Sequence, residues 1–263
     1  MFLQHFFEHC YTIKMNQLFD VVTCVGPNDQ DIIKLSTLYT RANVVGHRRV
    51  YLVCSDPTLQ VSGCITVPES IFPFSLSTVS ALHGSKSKPR HGWYFQQLLK
   101  LYAGFVIPDI LPQYLVVDAD TLFINPTTFL NNGKMLYATG TYYHKPCFKH
   151  MKRLHPSLKN NKKGSGVVHH MMFDVYYLQQ LFRLVEGYHG GAPFYEVFLS
   201  QVAPDQYNQS GASEYEIFFN YMLTYHPDAM EVRQLKWDNV ETLSKYLTQP
   251  TDYNFISYHY YLR

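Results

Sequence analysis

Apolar runs and polar breaks alternate at a regular pitch through the first half of the chain. Asp20 to Val25 (Asp-Val-Val-Thr-Cys-Val) reads as a buried strand stopped by Gly26-Pro27-Asn28-Asp29. Residues 31–42 carry Ile32, Leu35, Leu38 and Tyr39 at the spacing of an amphipathic helix. Arg49 to Cys54 is a second strand, ended by Ser55-Asp56-Pro57, and Cys64 to Val67 is a short third. A polar loop from His83 to Gly92 leads into a helix over 93–105, with Phe95, Leu98, Leu99, Tyr102 and Phe105 on its apolar face. Leu115-Val116-Val117 is a further buried strand. Strand, helix, strand at this pitch predicts an α/β fold with a mostly parallel sheet flanked by helices.

The second half has a different texture. Residues 145–166 are polar and basic and read as a mobile loop. Val167 to Phe173 reads as a strand with His169 and His170 on opposite faces, so that at most one faces a substrate. A helix follows from Asp174 to about Glu186, closed by Gly187, and Gly190-Gly191 breaks the chain. Ser213 and Glu216 form a capping-box signature for a helix over 214–225. In that reading Glu216 reaches back to the Ser213 backbone and Glu214 is left free in the first turn. The tail from Phe255 to Tyr261 is strand-like or extended. There is no internal repeat, and the whole is expected to be a single compact domain.

Composition narrows the class mainly by exclusion. With 263 residues and 46% apolar content, a sizeable core is available. Charged residues make up 16% and the net charge is +2, so overall charge gives no general argument for nucleic acid or an anionic membrane as partners. The 22 tyrosines suit either a core or a surface for sugar rings. Cys10, Cys24, Cys54, Cys64 and Cys147 are scattered, without a CxxC pair, as expected of a reduced cytoplasmic protein. The opening residues lack a basic region and cleavage site, and no apolar run approaches the roughly 20 residues of a membrane helix. The ending at Tyr261-Leu262-Arg263 has no terminal cap, which suits one domain of a longer polypeptide.

The chemistry concentrates at Asp118-Ala119-Asp120, which follows the strand at 115–117. In extended backbone, residues i and i+2 point the same way, so both carboxylates are able to face one ion. Mg²⁺ and Mn²⁺ favour such oxygens together with substrate phosphates. In an open α/β sheet the carboxyl ends of the strands are where ligands bind. The competing reading is a solvated turn, since Asp is common at strand ends.

Leu115-Val116-Val117-Asp118-Ala119-Asp120-Thr121-Leu122-Phe123-Ile124 resembles the DxD segment of GT-A glycosyltransferases. Together with residues 92–101, His169-His170-Met171-Met172-Phe173-Asp174 and Ser213-Glu214-Tyr215-Glu216, the chain is similar to DUF6492-type enzymes, a group that includes the N-terminal galactosyltransferase-like domain of large chlorovirus glycosyltransferases that build viral N-glycans. The resemblance covers about 18–263. It implies a GT-A (Rossmann-like) fold with a nucleotide-sugar-binding half at about 18–125 and an acceptor-facing half at about 126–263. It further implies Mn²⁺ or Mg²⁺, a UDP-sugar donor (UDP-galactose first), and retaining transfer of a hexose to a hydroxyl of an oligosaccharide or glycan acceptor, in host cytoplasm if the source is viral.

The same resemblance assigns candidate residues. Asp118, Ala119 and Asp120 contact the donor, and Asp118 and Asp120 the metal. Gln97 and Lys100 share a helix face beside the diphosphate, Lys100 alternatively being a snorkelling surface lysine. Arg90, Trp93, Lys86 and Lys88 form a phosphate-facing lip or a solvated loop. Thr23, Val25 and Asn28 meet the nucleotide base, largely through backbone. Asp56 holds a base or ribose group, or simply makes a turn before Pro57. His259 is the expected third metal ligand, with a satisfied core histidine as its competitor and His226 as the next candidate. Asp174, most plainly an N-cap, and Glu214 are the candidate catalytic carboxylates. Glu214 is placed near the acceptor hydroxyl or anomeric carbon, as a general base for inversion or a stabilising charge for retention. The rival classes are a haloacid-dehalogenase-type phosphatase, a nucleotidyltransferase and a non-catalytic carbohydrate-binding module.

Overall fold

The computed structural model describes residues 18–84, 90–161 and 163–263. Its strands are Phe19–Val25 (β1), His47–Cys54 (β2), Ile65–Pro68 (β3), Gln113–Val117 (β4), Thr121–Phe123 (β5), Lys134–Ala138 (β6), His170–Asp174 (β7), Met230–Arg233 (β8), Trp237–Asn239 (β9) and Phe255–Ser257 (β10), beside three two-residue pieces. The principal helices are Ile33–Asn43 (α1), Leu76–His83 (α2), His91–Val106 (α3), Lys145–Leu154 (α4), Val175–Tyr188 (α5), Phe194–Ser200 (α6) and Glu214–Tyr225 (α7).

The central sheet has the order β7-β4-β1-β2-β3. β1 pairs in parallel with both β2 and β4, β2 pairs in parallel with β3, and β7 runs antiparallel to β4. β1 is buried along its whole length, as a strand covered on both faces must be, and its sequence is correspondingly a continuous apolar run. From β1 the chain steps outward to β2 and β3, then returns through α3 to β4 on the other side of β1. The strand order therefore reverses between β1 and β4, and a crevice opens at their carboxyl ends. The fold is the expected mixed α/β domain with a mostly parallel sheet. Among the described residues no helix is long and apolar enough to cross a membrane. Cys24, Cys54, Cys64 and Cys147 are free thiols, while Cys10 lies outside the described residues.

Several local expectations are corrected. Residues 145–166 are not a loop throughout, because α4 occupies Lys145–Leu154 and buries Cys147, Phe148, His150, Met151 and Leu154. The lysines between these positions masked a strongly amphipathic helix. On α1 the buried side is Ile33, Ser36, Thr37 and Thr40, whereas Leu38 is 58% exposed. The Ser36 and Thr37 hydroxyls donate back to the Ile33 carbonyl, at 3.2 and 2.7 Å, which satisfies them on their own helix. Phe105 on α3 is likewise exposed. β7 starts at His170 rather than Val167, since His169 adopts φ 63° and leaves the extended region. α2 and α6 were not expected from the sequence. After β10 the tail turns into a 3-10 segment at Tyr260–Leu262.

The capping box at α7 is half formed. Ser213 Oγ accepts from the Glu216 backbone N–H at 3.2 Å. The Glu216 carboxylate does not return the bond. It instead accepts from Ser165 Oγ at 2.5 Å and from Asn220 Nδ2 at 3.0 Å.

Candidate functional site

The apolar run of β4 ends at Val117, and the next residues turn so that the Asp118 carbonyl accepts from the Thr121 N–H at 3.0 Å. The Asp118 N–H donates to the His169 carbonyl at 2.8 Å, which ties the turn to the entry of β7. Asp118-Ala119-Asp120 thus stands at the carboxyl edge of the sheet, beside β1, where the strand order reverses. The crevice above it has a volume of about 550 Å³.

On one wall, α3 supplies Lys100 and Gln97, and the first turn of α7 supplies Glu214 and Tyr215. Lys100 Nζ donates to Asp118 Oδ1 at 2.7 Å and to Glu214 Oε1 at 2.8 Å. Tyr215 Oη donates to Asp118 Oδ1 at 2.8 Å, and the ammonium lies 4.5 Å from the centre of the Tyr215 ring. Gln97 Oε1 accepts from the Glu214 backbone N–H at 3.0 Å, so α3 itself caps the start of α7. Lys100 is therefore neither a snorkelling surface lysine nor a free cation. It is a buried charge held by two carboxylates.

One ammonium cannot neutralise both partners, and the two carboxylates differ accordingly. Burial alone would raise Asp118, but the charge of Lys100 and the His169 contact hold it well below the usual carboxylate range. For Glu214 burial wins over Lys100, and its carboxyl lies above the usual range. Burial would lower Lys100, but Asp118 and Glu214 raise it well above the ordinary lysine value.

On the opposite wall the chain's last segment crosses the crevice. β10 pairs with β5 and β9, and beyond it the Tyr258 N–H donates to the Asp120 carbonyl at 2.9 Å. This sets His259 Nδ1 at 2.7 Å from Asp120 Oδ2, with Nε2 at 3.1 Å from Asn239 Oδ1. Burial would lower the His259 imidazole, but the hydrogen bond and charge of Asp120 outweigh it and raise it. His169 Nδ1 approaches Asp118 Oδ2 at 3.4 Å, its ring 5.0 Å from that of His259. Its neighbour His170 points the other way, among Phe123, Phe129 and Phe255.

Of the expected site residues, the structure brings together Gln97, Lys100, Asp118, Ala119, Asp120, Glu214 and His259, with Arg90 and Trp93 at the rim. Lys86 and Lys88 lie outside the described residues. Asp174 is placed elsewhere. It pairs with Gln113 at the opposite end of β4, where its carboxylate accepts from the Tyr176 N–H at 2.9 Å as the N-cap of α5. Glu214 is not free in its turn, because Lys100 holds it. Thr23 is buried within β1, and neither it, Val25 nor Asn28 lines the crevice; their neighbour Asp29 does. Burial and the nearby Asp120, opposed by Arg263, push the Asp29 carboxyl up to about 6. Asp56 is exposed and closes a local turn, accepting from the N–H and hydroxyl of Thr58 at 2.9 and 2.6 Å. His226 caps the far end of α7 beside Tyr221.

Sequence reasoning missed Asp29, Tyr142, Tyr215, Trp237 and Asn239 as crevice-lining groups. Asp29 was within reach, since it follows β1 directly. Tyr215 adjoins Glu214 in a segment already singled out, whereas Tyr142, Trp237 and Asn239 arrive from segments distant in sequence, with no local signal.

A divalent ion fits the donor chemistry only in part. Among the described residues no three His, Cys, Asp or Glu side chains converge as a metal-holding group. Both Asp118 oxygens are engaged, by Lys100 and Tyr215 on one side and His169 on the other. Asp120 is engaged by a side chain through Oδ2 alone. Both His259 ring nitrogens are also engaged, by Asp120 and Asn239. A cation here would start from Asp120 Oδ1, take His259 only by displacing one of those contacts, and draw its remaining ligands from substrate phosphate and water rather than from a protein cage.

No family model and no curated protein sequence matches the chain. These comparisons give no support to the resemblance to DUF6492-type enzymes, which rests on the sequence segments alone. Among solved structures, mouse xyloside xylosyltransferase 1 in its apo form superposes with a TM-score of 0.49 and 12% identity, covering 91% of this chain and 97% of that one.

Proposed function

We propose that the chain is a GT-A-type glycosyltransferase that binds the diphosphate of a nucleotide-sugar over Asp118-Ala119-Asp120 with the help of Mn²⁺ or Mg²⁺. The observation that carries this reading is the placement of Asp120, with His259 seated on it, at the carboxyl edge of β4 where the strand order reverses. Asp120 and His259 would hold the ion. Bound there, it would supply neutralisation of the charge that develops on the departing diphosphate.

The chain's own residues supply the rest. Lys100 fixes Asp118 and Glu214 in one geometry and keeps the wall from carrying two uncompensated negative charges. Glu214, with its raised carboxyl, is the group suited to exchange a proton or a hydrogen bond with an acceptor hydroxyl. Trp237, stacked on Phe255 at 5.4 Å, lines the crevice together with Trp93 and Tyr142, and these rings suit the C–H faces of a sugar. UDP-galactose is the first donor to try, with retention the preferred course.

The deciding experiment is a donor screen that measures hydrolysis of UDP-, GDP- and dTDP-sugars with and without Mn²⁺, beside calorimetry with UDP. Metal-dependent UDP binding with release of free hexose is the expected result. Pyrophosphate release from a nucleoside triphosphate would point to a nucleotidyltransferase, and sugar binding indifferent to UDP and metal to a binding module. Absence of any nucleoside diphosphate binding with Mn²⁺ present would remove the proposal.

A further inference from the structure

The charge along the chain is strongly segregated. Between Asp120 and Asp174 there are eight Lys and Arg and no Asp or Glu, so the remaining residues carry a net charge of −6 against +2 for the whole. The positive stretch includes α4, whose apolar side faces the core, leaving Lys145, Lys149 and Lys152 exposed. These three follow one stripe of the helix over about 10 Å. Lys159 and Lys163 continue beyond it, also exposed, and among the described residues none of the five lysines forms an ion pair.

The stripe begins at the mouth of the crevice. Tyr142, three residues before α4, lines that crevice, as does Cys147 from the buried side of the helix's first turn, while Tyr142 and Tyr143 are exposed. Arg90 lines the same mouth. Past the far end of α4, Tyr188 packs edge-on against His155 and is again exposed. Exposed tyrosines thus stand before and after this run of cations, and such a surface matches a polymer with both ring faces and negative charges.

We infer that the α4 face is the track for an acidic acceptor, an oligosaccharide bearing carboxylates, whose end enters the crevice past Tyr142 while its charged sugars lie along Lys145, Lys149 and Lys152. This rests on the glycosyltransferase reading for the role of the crevice, but the binding itself does not. A membrane surface is the poorer occupant. Surface-lying helices insert an apolar face, and the apolar face of α4 is already buried in the core.

The test measures binding of hexagalacturonate, neutral maltohexaose, and phosphatidylcholine vesicles containing phosphatidylserine. It compares the unaltered chain with Lys145→Gln/Lys149→Gln/Lys152→Gln, at low and physiological salt. The triple variant should bind hexagalacturonate about tenfold more weakly, in line with three exposed charge contacts, and the unaltered chain should lose affinity as salt rises. Maltohexaose should be insensitive to both changes. Failure of the unaltered chain to bind hexagalacturonate, equal binding by the variant, or vesicle binding in its place would overturn the inference. UDP binding with Mn²⁺, measured on both proteins, should not change between them. If it is absent from both while the lysine-dependent binding stands, the donor assignment has failed and the acidic track has not.

Discussion

Lys100 Nζ lies 2.8 Å from Glu214 Oε1, joining α3 to the first turn of α7 with both side chains almost wholly buried. Because the same ammonium also holds Asp118, its removal would leave two carboxylates facing each other without a counter-charge. Lys100→Met should lose about 3–5 kcal/mol of unfolding free energy in urea. Glu214→Gln should cost far less, and adding it to Lys100→Met should recover part of the loss. A Lys100→Met protein within about 1 kcal/mol of the parent would show that the charged cluster does not organise this wall.

His259 and Asp120 are predicted to act on donor binding rather than on the fold. Asp120→Ala should abolish the Mn²⁺-dependent part of UDP binding, and His259→Ala should weaken it about 10- to 100-fold, with midpoints of urea unfolding close to the parent. Calorimetry at several Mn²⁺ concentrations reads this directly. Unchanged metal dependence in Asp120→Ala would sink the role assigned to it.

Asp20 provides the opposite case. It is fully buried at the entry of β1, accepts from Arg48 Nε at 3.0 Å, and also accepts from the backbone N–H groups of Arg49 and Leu111 at 3.1 and 2.8 Å. Asp20→Ala strands those donors and should cost about 2–4 kcal/mol. UDP affinity measured below the unfolding transition should stay at the parental value. A changed affinity would mean that the two ends of the sheet are coupled.

Acid should destabilise the protein through two fully buried histidines. Burial pushes both His150 and His170 down to about 3. Above the ordinary value of about 6.5 both are neutral, folded or unfolded. Below it the unfolded chain takes up protons that the folded chain refuses, so stability is lost as the pH falls from 6.5 toward 3. By pH 5 the loss should be about 2 kcal/mol for each histidine. His170→Phe, at a position already surrounded by phenylalanines, should flatten the dependence of the urea midpoint between pH 7 and 5. An unaltered slope would assign the acid sensitivity to other groups.

What the sequence made legible follows the range of the interactions involved. β1, β2 and β4 were readable because strands covered on both faces must be apolar throughout, and α7 because Ser213 marks its start. Asp118 and Asp120 stood out at the end of β4, whereas the place of Lys100 beside them was implied only by the family resemblance. α4 was hidden because its lysines and histidines outweigh its few apolar positions in any local average, although five residues at helical spacing fill the core. The buried face of α1 was read in part: Ile32 is buried and Leu35 and Tyr39 pack beside it, but Ser36 and Thr37 also turn inward because they bond their own helix, while Leu38 faces out. Asp174 showed an N-cap signal and nothing else. The local sequence cannot reveal that it sits at the far end of β4 from Asp118. The partnership of Glu214 with Lys100 spans 114 residues, and no spacing rule reaches that far.

The hydrogen bond between Asp120 and His259 spans 139 residues. During synthesis the central sheet, from β1 to β7, has all its strands available long before His259 emerges. The donor-binding edge would then be completed after the scaffold that carries it, by a segment whose loop-closure cost is met late. A chain released before Phe255 would lack His259, the strand that pairs with β5 and a fully buried core ring, so nascent fragments of this protein are expected to lack the proposed cation site.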